Sequence, residues 1–78
     1  MTDEDRAHLR RCVALAEEAL DAGDDPFGSV LVSGDGRVLF EGRNRVASGD
    51  ATQHPEFAIA RWAAENMRPE ERAAATVY

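Results

Sequence analysis

Pro26-Phe27-Gly28-Ser29-Val30-Leu31-Val32-Ser33-Gly34-Asp35-Gly36-Arg37-Val38-Leu39-Phe40-Glu41 reads as two strands around a tight turn. The run from Phe27 to Val32 has the β-branched, apolar character of a buried strand. Ser33-Gly34-Asp35-Gly36 is strong turn chemistry, and the short apolar run at 37–41 returns antiparallel as the second strand of a hairpin.

Outward from the hairpin, both flanks read as helical. Residues 2–22 place Leu9, Cys12, Val13, Ala16, Ala19 and Leu20 at three- and four-residue steps, which predicts an amphipathic helix with those residues on its core stripe. Thr2 or Asp3 can cap its start, acidic residues fill the first turn, and Gly23 stands where a left-handed C-terminal residue belongs. Asp24-Asp25-Pro26 then stops it. On the other side, the polar residues 42–53, with Asn44, Ser48, Gly49 and Asp50, predict a loop of a length that often carries function. A second helix is expected over 54–67, with Phe57, Ile59, Ala60, Ala63 and Ala64 as apolar surface, until Pro69 interrupts it. The alternating charges of 68–72 read as a solvated turn, and Ala75-Thr76-Val77-Tyr78 as the start of a third strand. Helix, hairpin, helix, strand is the order of an α/β layer structure with helices covering a sheet.

Composition narrows the function classes. The 78 residues are 44% hydrophobic and 31% charged, which describes a globular chain of at most one domain with a marginal core. A net charge of −6 with scattered basic residues argues against a nucleic-acid footprint and favours a small-molecule substrate. No apolar run approaches the roughly 20 residues of a membrane span. The start, Met1-Thr2-Asp3-Glu4-Asp5, is opposite in charge to a signal peptide, and the lone Cys12 fits a reducing compartment, so a cytoplasmic location is expected.

The chemistry concentrates in Asp50-Ala51-Thr52-Gln53-His54-Pro55-Glu56-Phe57. By itself a His-x-Glu pair is a weak signal, and its plainer reading is a solvated helix start with a capping histidine. Pro55 sharpens the geometry, because proline suits the first helical position and pushes the preceding residue out of the α region, making His54 the N-cap. The positive end of the helix dipole favours a neutral, metal-binding imidazole there, and Glu56 lies in the same first turn. His8 and Cys12 also share a helix face at i,i+4, a spacing that can bind metal. The plainer reading is an exposed His8 and a packed Cys12. Trp62 reads as packing.

Pro26-Phe27-Gly28 with its apolar run, Gly42-Arg43-Asn44, and Asp50-x-Thr52-x-His54-x-Glu56 occur in the order and spacing of the cytidine/deoxycytidylate deaminase superfamily. The resemblance covers nearly the whole chain. Within the superfamily it is most similar to the guanine deaminase-like branch, with tRNA adenosine deaminases and fungal-type cytosine deaminases close by. The superfamily signature is H-x-E followed by P-C-x-x-C.

That resemblance implies an α-β-α layered cytidine deaminase-like fold, of which residues 1–78 would be the N-terminal half of a single domain. It implies zinc (Zn2+) as cofactor, with His54 as one protein ligand of three, the two cysteine ligands following in sequence after the strand at Thr76-Val77-Tyr78. Glu56, not a ligand, would carry protons from the attacking water to the base and then to the leaving ammonia. Asn44 would hydrogen-bond the substrate, and Phe27 would lie against the planar ring. The implied function is hydrolytic deamination of a purine or pyrimidine base or nucleoside, guanine first and cytosine, adenine and their nucleosides behind it. The completed domain would be a homodimer, and the 78-residue chain alone inactive. One departure is Pro55, where the family usually has alanine. A reading from a different class stays open at this level: a small α/β interaction module, or an inactive relative, in which His54 and Glu56 only start a helix.

Overall fold

The computed structural model describes residues 1–45, 49 and 53–78. Of the sequence features named above, Ser48, Asp50, Ala51 and Thr52 lie outside the described residues. The elements run α1 (Asp3–Asp21), β1 (Gly28–Val32), β2 (Val38–Arg43), α2 (Pro55–Asn66), α3 (Pro69–Ala74) and β3 (Thr76–Val77).

Helix α1 is held at its start by a capping box. The Thr2 hydroxyl accepts from the Asp5 backbone N–H at 3.0 Å, and the Asp5 carboxylate accepts from the Thr2 backbone N–H at 3.1 Å. Gly23, at φ +88°, turns the chain out of the helix, and the Asp24 N–H then donates to the Ala19 carbonyl at 2.9 Å.

The three strands form one antiparallel sheet in the order β2-β1-β3. Val30 pairs with Glu41, Leu31 with Phe40, and on the other side Leu31 with Val77. Because side chains alternate across a strand, this register sorts the sheet into two faces. On one face Val30 and Val32 pack with Leu15 of α1. Glu41, on that face, accepts two hydrogen bonds from the Arg11 guanidinium at 2.7 and 2.8 Å. On the other face Phe40 stacks on Trp62 of α2, ring centroids 5.7 Å apart. Two glycines permit the close approach of the helices. A Cβ on Gly28 would stand 2.4 Å from the Cys12 carbonyl oxygen of α1, and one on Gly42 would stand 3.3 Å from Pro55 of α2. The result is the expected α-β-α layering, with the sheet between α1 and α2.

Three details differ from the sequence reading. Strand β2 continues through Gly42 and Arg43, because these pair with Ser29 and Gly28, so the loop begins only at Asn44. Pro69 does more than interrupt: it opens α3, whose start is held by the Glu71 carboxylate accepting from the Arg68 N–H at 2.7 Å. The core stripe of α1 keeps Cys12 and Ala19 of the expected set and adds Leu15. Leu15 and Ala19 are buried and Cys12 packs against the core, whereas Leu9, Val13 and Leu20 are exposed. Both sets fall on helical spacing, and only the tertiary fold selects the one facing the sheet.

Candidate functional site

The start of α2 is shaped by Pro55. It sits at the first helical position, fully buried against Gly42, and His54 is left extended at φ −89° and ψ 146° as the N-cap. The Phe57 and Ala58 N–H groups donate to the His54 carbonyl at 3.2 and 3.3 Å. The imidazole makes no capping hydrogen bond, so His54 is not serving as a side-chain cap. Its Nδ1 lies 3.6 Å from Oε1 of Glu56, whose side chain is 65% exposed and free to reach a bound molecule.

Two further elements converge on this helix start. The Asn44 N–H donates to the Phe27 carbonyl at 3.0 Å, tying the end of β2 to the entry of β1. The Arg45 N–H donates to the Gln53 carbonyl at 2.8 Å, bringing the chain after β2 beside His54. The Phe27 ring, about half exposed, then stands 6.5 Å from the imidazole. Asn44 is buried at 1% exposure. Phe27, Asn44, His54 and Glu56 are thus brought to the same end of the sheet.

The sequence reading missed two contributors. Phe57, read as helix surface, is 56% exposed with its ring 6.4 Å from His54, so two aromatic rings lie near the imidazole. Its signal was the three-residue step from His54, which places both on the first turn. Arg43 and Asp24 form the second. Their charges stand 3.8 Å apart with Asp24 almost fully buried, joining the α1–β1 loop to the end of β2 just beside Asn44. Arg43 Nη1 is buried without a hydrogen bond.

A partly exposed imidazole at a helix start, uncommitted to capping, fits one ligand of a zinc site. Among the described residues no group of three or more His, Cys, Asp or Glu could hold a metal. His8 and Cys12 do not form one. His8 is half-buried against Tyr78, ring centroids 5.0 Å apart, not exposed as its plainer reading had it, and burial pushes the Cys12 thiol up from its usual pKa. Trp62 is packing, as expected. A cavity of about 410 Å³ between Trp62, Arg37 and Glu70 lies at the hairpin-turn end, away from His54. A second, apolar groove of about 240 Å³ runs between Leu31, Ile59, Ala63 and Val77, with Glu56 in its lining. None of the described helices is long and apolar enough to cross a membrane.

Comparison with known proteins bears on this arrangement. The sequence model of the cytidine and deoxycytidylate deaminase zinc-binding region matches residues 2–78. A "Probable cytosine deaminase" of Schizosaccharomyces pombe is 38% identical over 56 residues, 72% of this chain and 35% of that protein. A guanine deaminase of Bacillus subtilis is 46% identical over 55 residues, 68% of this chain and 35% of that protein. A tRNA(Ile)-lysidine synthase of Deinococcus radiodurans is 36% identical over 62 residues, 78% of this chain but 11% of that much longer protein. The chain spans about a third of the length of the first two relatives.

Proposed function

Because the chain belongs to the cytidine and deoxycytidylate deaminase family, we propose that it is the N-terminal half of one hydrolytic deaminase domain, with His54 as a zinc ligand and Glu56 as its proton shuttle. The observation that carries this reading is the pairing of an uncapped His54 imidazole with Glu56 at 3.6 Å, beside the exposed ring of Phe27. Zinc, when bound, supplies the Lewis acidity that makes water an effective nucleophile near neutral pH.

The chain's own residues do the rest. The planar base lies against Phe27, and Asn44 hydrogen-bonds its polar edge. As water adds to the amino-bearing ring carbon, the Glu56 carboxylate accepts its proton and passes it to the ring nitrogen. The second proton of the nucleophile goes by the same carboxylate to the amino group. The C–N bond then breaks, leaving a carbonyl on the ring and free ammonia. A carboxylate 65% exposed on the first turn of a helix has the freedom to serve both positions.

A free base or nucleoside is the proposed substrate, supported by a net charge of −6, which offers no attraction to a nucleic-acid backbone. Guanine is tested first because of the Pro26-Phe27-Gly28 form, and the cytosine deaminase relative puts cytosine beside it. The completed domain is proposed to act in the cytoplasm as a homodimer. The test is ammonia release by the full protein from a panel of bases and nucleosides, with zinc quantified in the wild type and in His54→Ala. Loss of both metal and turnover in His54→Ala supports the reading; retained stoichiometric zinc refutes the ligand role.

A further inference from the structure

The open end of the β1–β2 ladder carries both residues assigned to the base. Gly28 and Arg43 are its last pair, and beyond them the Asn44 N–H donates to the Phe27 carbonyl at 3.0 Å. Phe27 belongs to a short link. The Asp24 N–H is tied back to the Ala19 carbonyl of α1 at 2.9 Å and Gly28 begins β1, so only Asp25, Pro26 and Phe27 lie between the two anchors. The Phe27 ring is 53% exposed, so its place follows from the backbone that carries it more than from packing. Glu41 and Arg43 are two apart on β2 and share the face toward α1. There Arg43 Nη1 stands 3.8 Å from Oδ2 of Asp24, with the two side chains 21% and 5% exposed, so water and salt screen the pair little. A buried ion pair adds little net stability over an apolar alternative, and its better use is to fix one conformation.

We propose that Arg43 and Asp24 are positioning residues for the deamination. Their ion pair holds the link from α1 to β1 against the end of β2, so that the Phe27 ring and the Asn44 side chain meet the base in one geometry. This role rests on Phe27 and Asn44 being the substrate contacts proposed above. The pair acts through those two residues and moves no proton. Phe27 and Asn44 hold the base in the ground state and the transition state alike, so loosening them removes uniform binding: KM rises while kcat holds. A pair that served stability alone would instead lower the folded, active fraction, and kcat would fall at unchanged KM.

Steady-state kinetics of the full protein separate the two, with guanine, cytosine, adenine and their nucleosides as substrates and zinc quantified in each preparation. Arg43→Met is expected to raise KM by about 3- to 10-fold, the worth of one hydrogen bond, with zinc content and kcat near wild type. Asp24→Asn keeps the shape of the side chain and is expected to give the same split, which decides the matter where Arg43→Met fails to fold. The double variant is expected to be no worse than either single one, since both remove the same tie. A fall in kcat at unchanged KM overturns the proposal, as do loss of zinc in the variants and KM effects that multiply in the double variant. A zinc-loaded wild type that releases ammonia from none of these compounds overturns the proposed function and this inference together. A wild type that does, beside variants of unchanged KM, overturns this inference alone.

Discussion

Gly28→Ala is expected to destabilise the chain, and the structure sets the size of the effect. The added methyl would stand 2.4 Å from the Cys12 carbonyl oxygen, 2.7 Å from Leu15 Cβ and 2.8 Å from the Ala16 nitrogen. Two of these are backbone atoms of α1 that no rotamer change can move, so the helix must retreat from the sheet by about 1 Å to restore ordinary contact distances of ~3.5 Å. That retreat loosens Leu15 from Val30 and Val32, the centre of the core. Overpacking of this kind costs about 1–3 kcal/mol. An opposing gain of about 0.4–1 kcal/mol comes from stiffening the unfolded chain, available because Gly28 does not use a positive φ. The net loss is about 1–2 kcal/mol, or a fall in Tm of about 4–16 °C for a domain of this size. Thermal unfolding followed by far-UV circular dichroism at low micromolar concentration measures it. A Gly28→Ala variant as stable as the wild type would refute the close packing of α1 on β1.

Other perturbations probe separate parts of the molecule. Arg43→Met removes the cation 3.8 Å from the buried Asp24 carboxylate and is expected to destabilise the chain, with Asp24→Asn in the same chain recovering part of the loss; a double-mutant cycle with no coupling contradicts the ion pair. Hydrogen bonding from Arg11 holds the Glu41 carboxyl below its usual range, so this contact stabilises the fold above about pH 4.5 and its contribution is lost as pH falls through the depressed value. The stability difference between wild type and Arg11→Met should therefore be present at neutral pH and vanish in strong acid, and a constant difference across that range argues against it. The isolated chain is expected to bind zinc no better than a surface histidine, since a catalytic site takes three protein ligands; a stoichiometric site tighter than about micromolar in chelator competition, abolished by His54→Ala, would show a complete site within residues 1–78.

Local signals carried most of the fold. Ser33-Gly34-Asp35-Gly36 fixed the hairpin because Gly36 takes a φ of +89° that few other residues tolerate. Thr2 and Gly23 marked the ends of α1 for equally local reasons. The core stripe of α1 was legible only in part, since Leu9, Val13, Ala16 and Leu20 fall on helical spacing just as the stripe that faces the sheet does. Strand β2 ran past its apolar run because pairing with Gly28 and Ser29, invisible to composition, extends it through Arg43. At the site, His54 as N-cap followed from Pro55 alone. The approach of Phe27 to His54 depends on two backbone hydrogen bonds, Asn44 to Phe27 and Arg45 to Gln53, across residues distant in sequence. No periodicity announces such a contact. Phe57 was hidden because an aromatic on an amphipathic helix reads as packing until its exposure is known.

The central claim, that Glu56 moves protons beside a metal held in part by His54, is tested most directly by Glu56→Gln in the full protein, with zinc content and ammonia release measured on the same preparation. The amide keeps the size of the carboxylate but cannot accept a proton, so zinc should remain at the wild-type ratio while turnover falls by about 10²- to 10⁴-fold. Near wild-type ammonia release from a zinc-loaded Glu56→Gln enzyme would contradict the account.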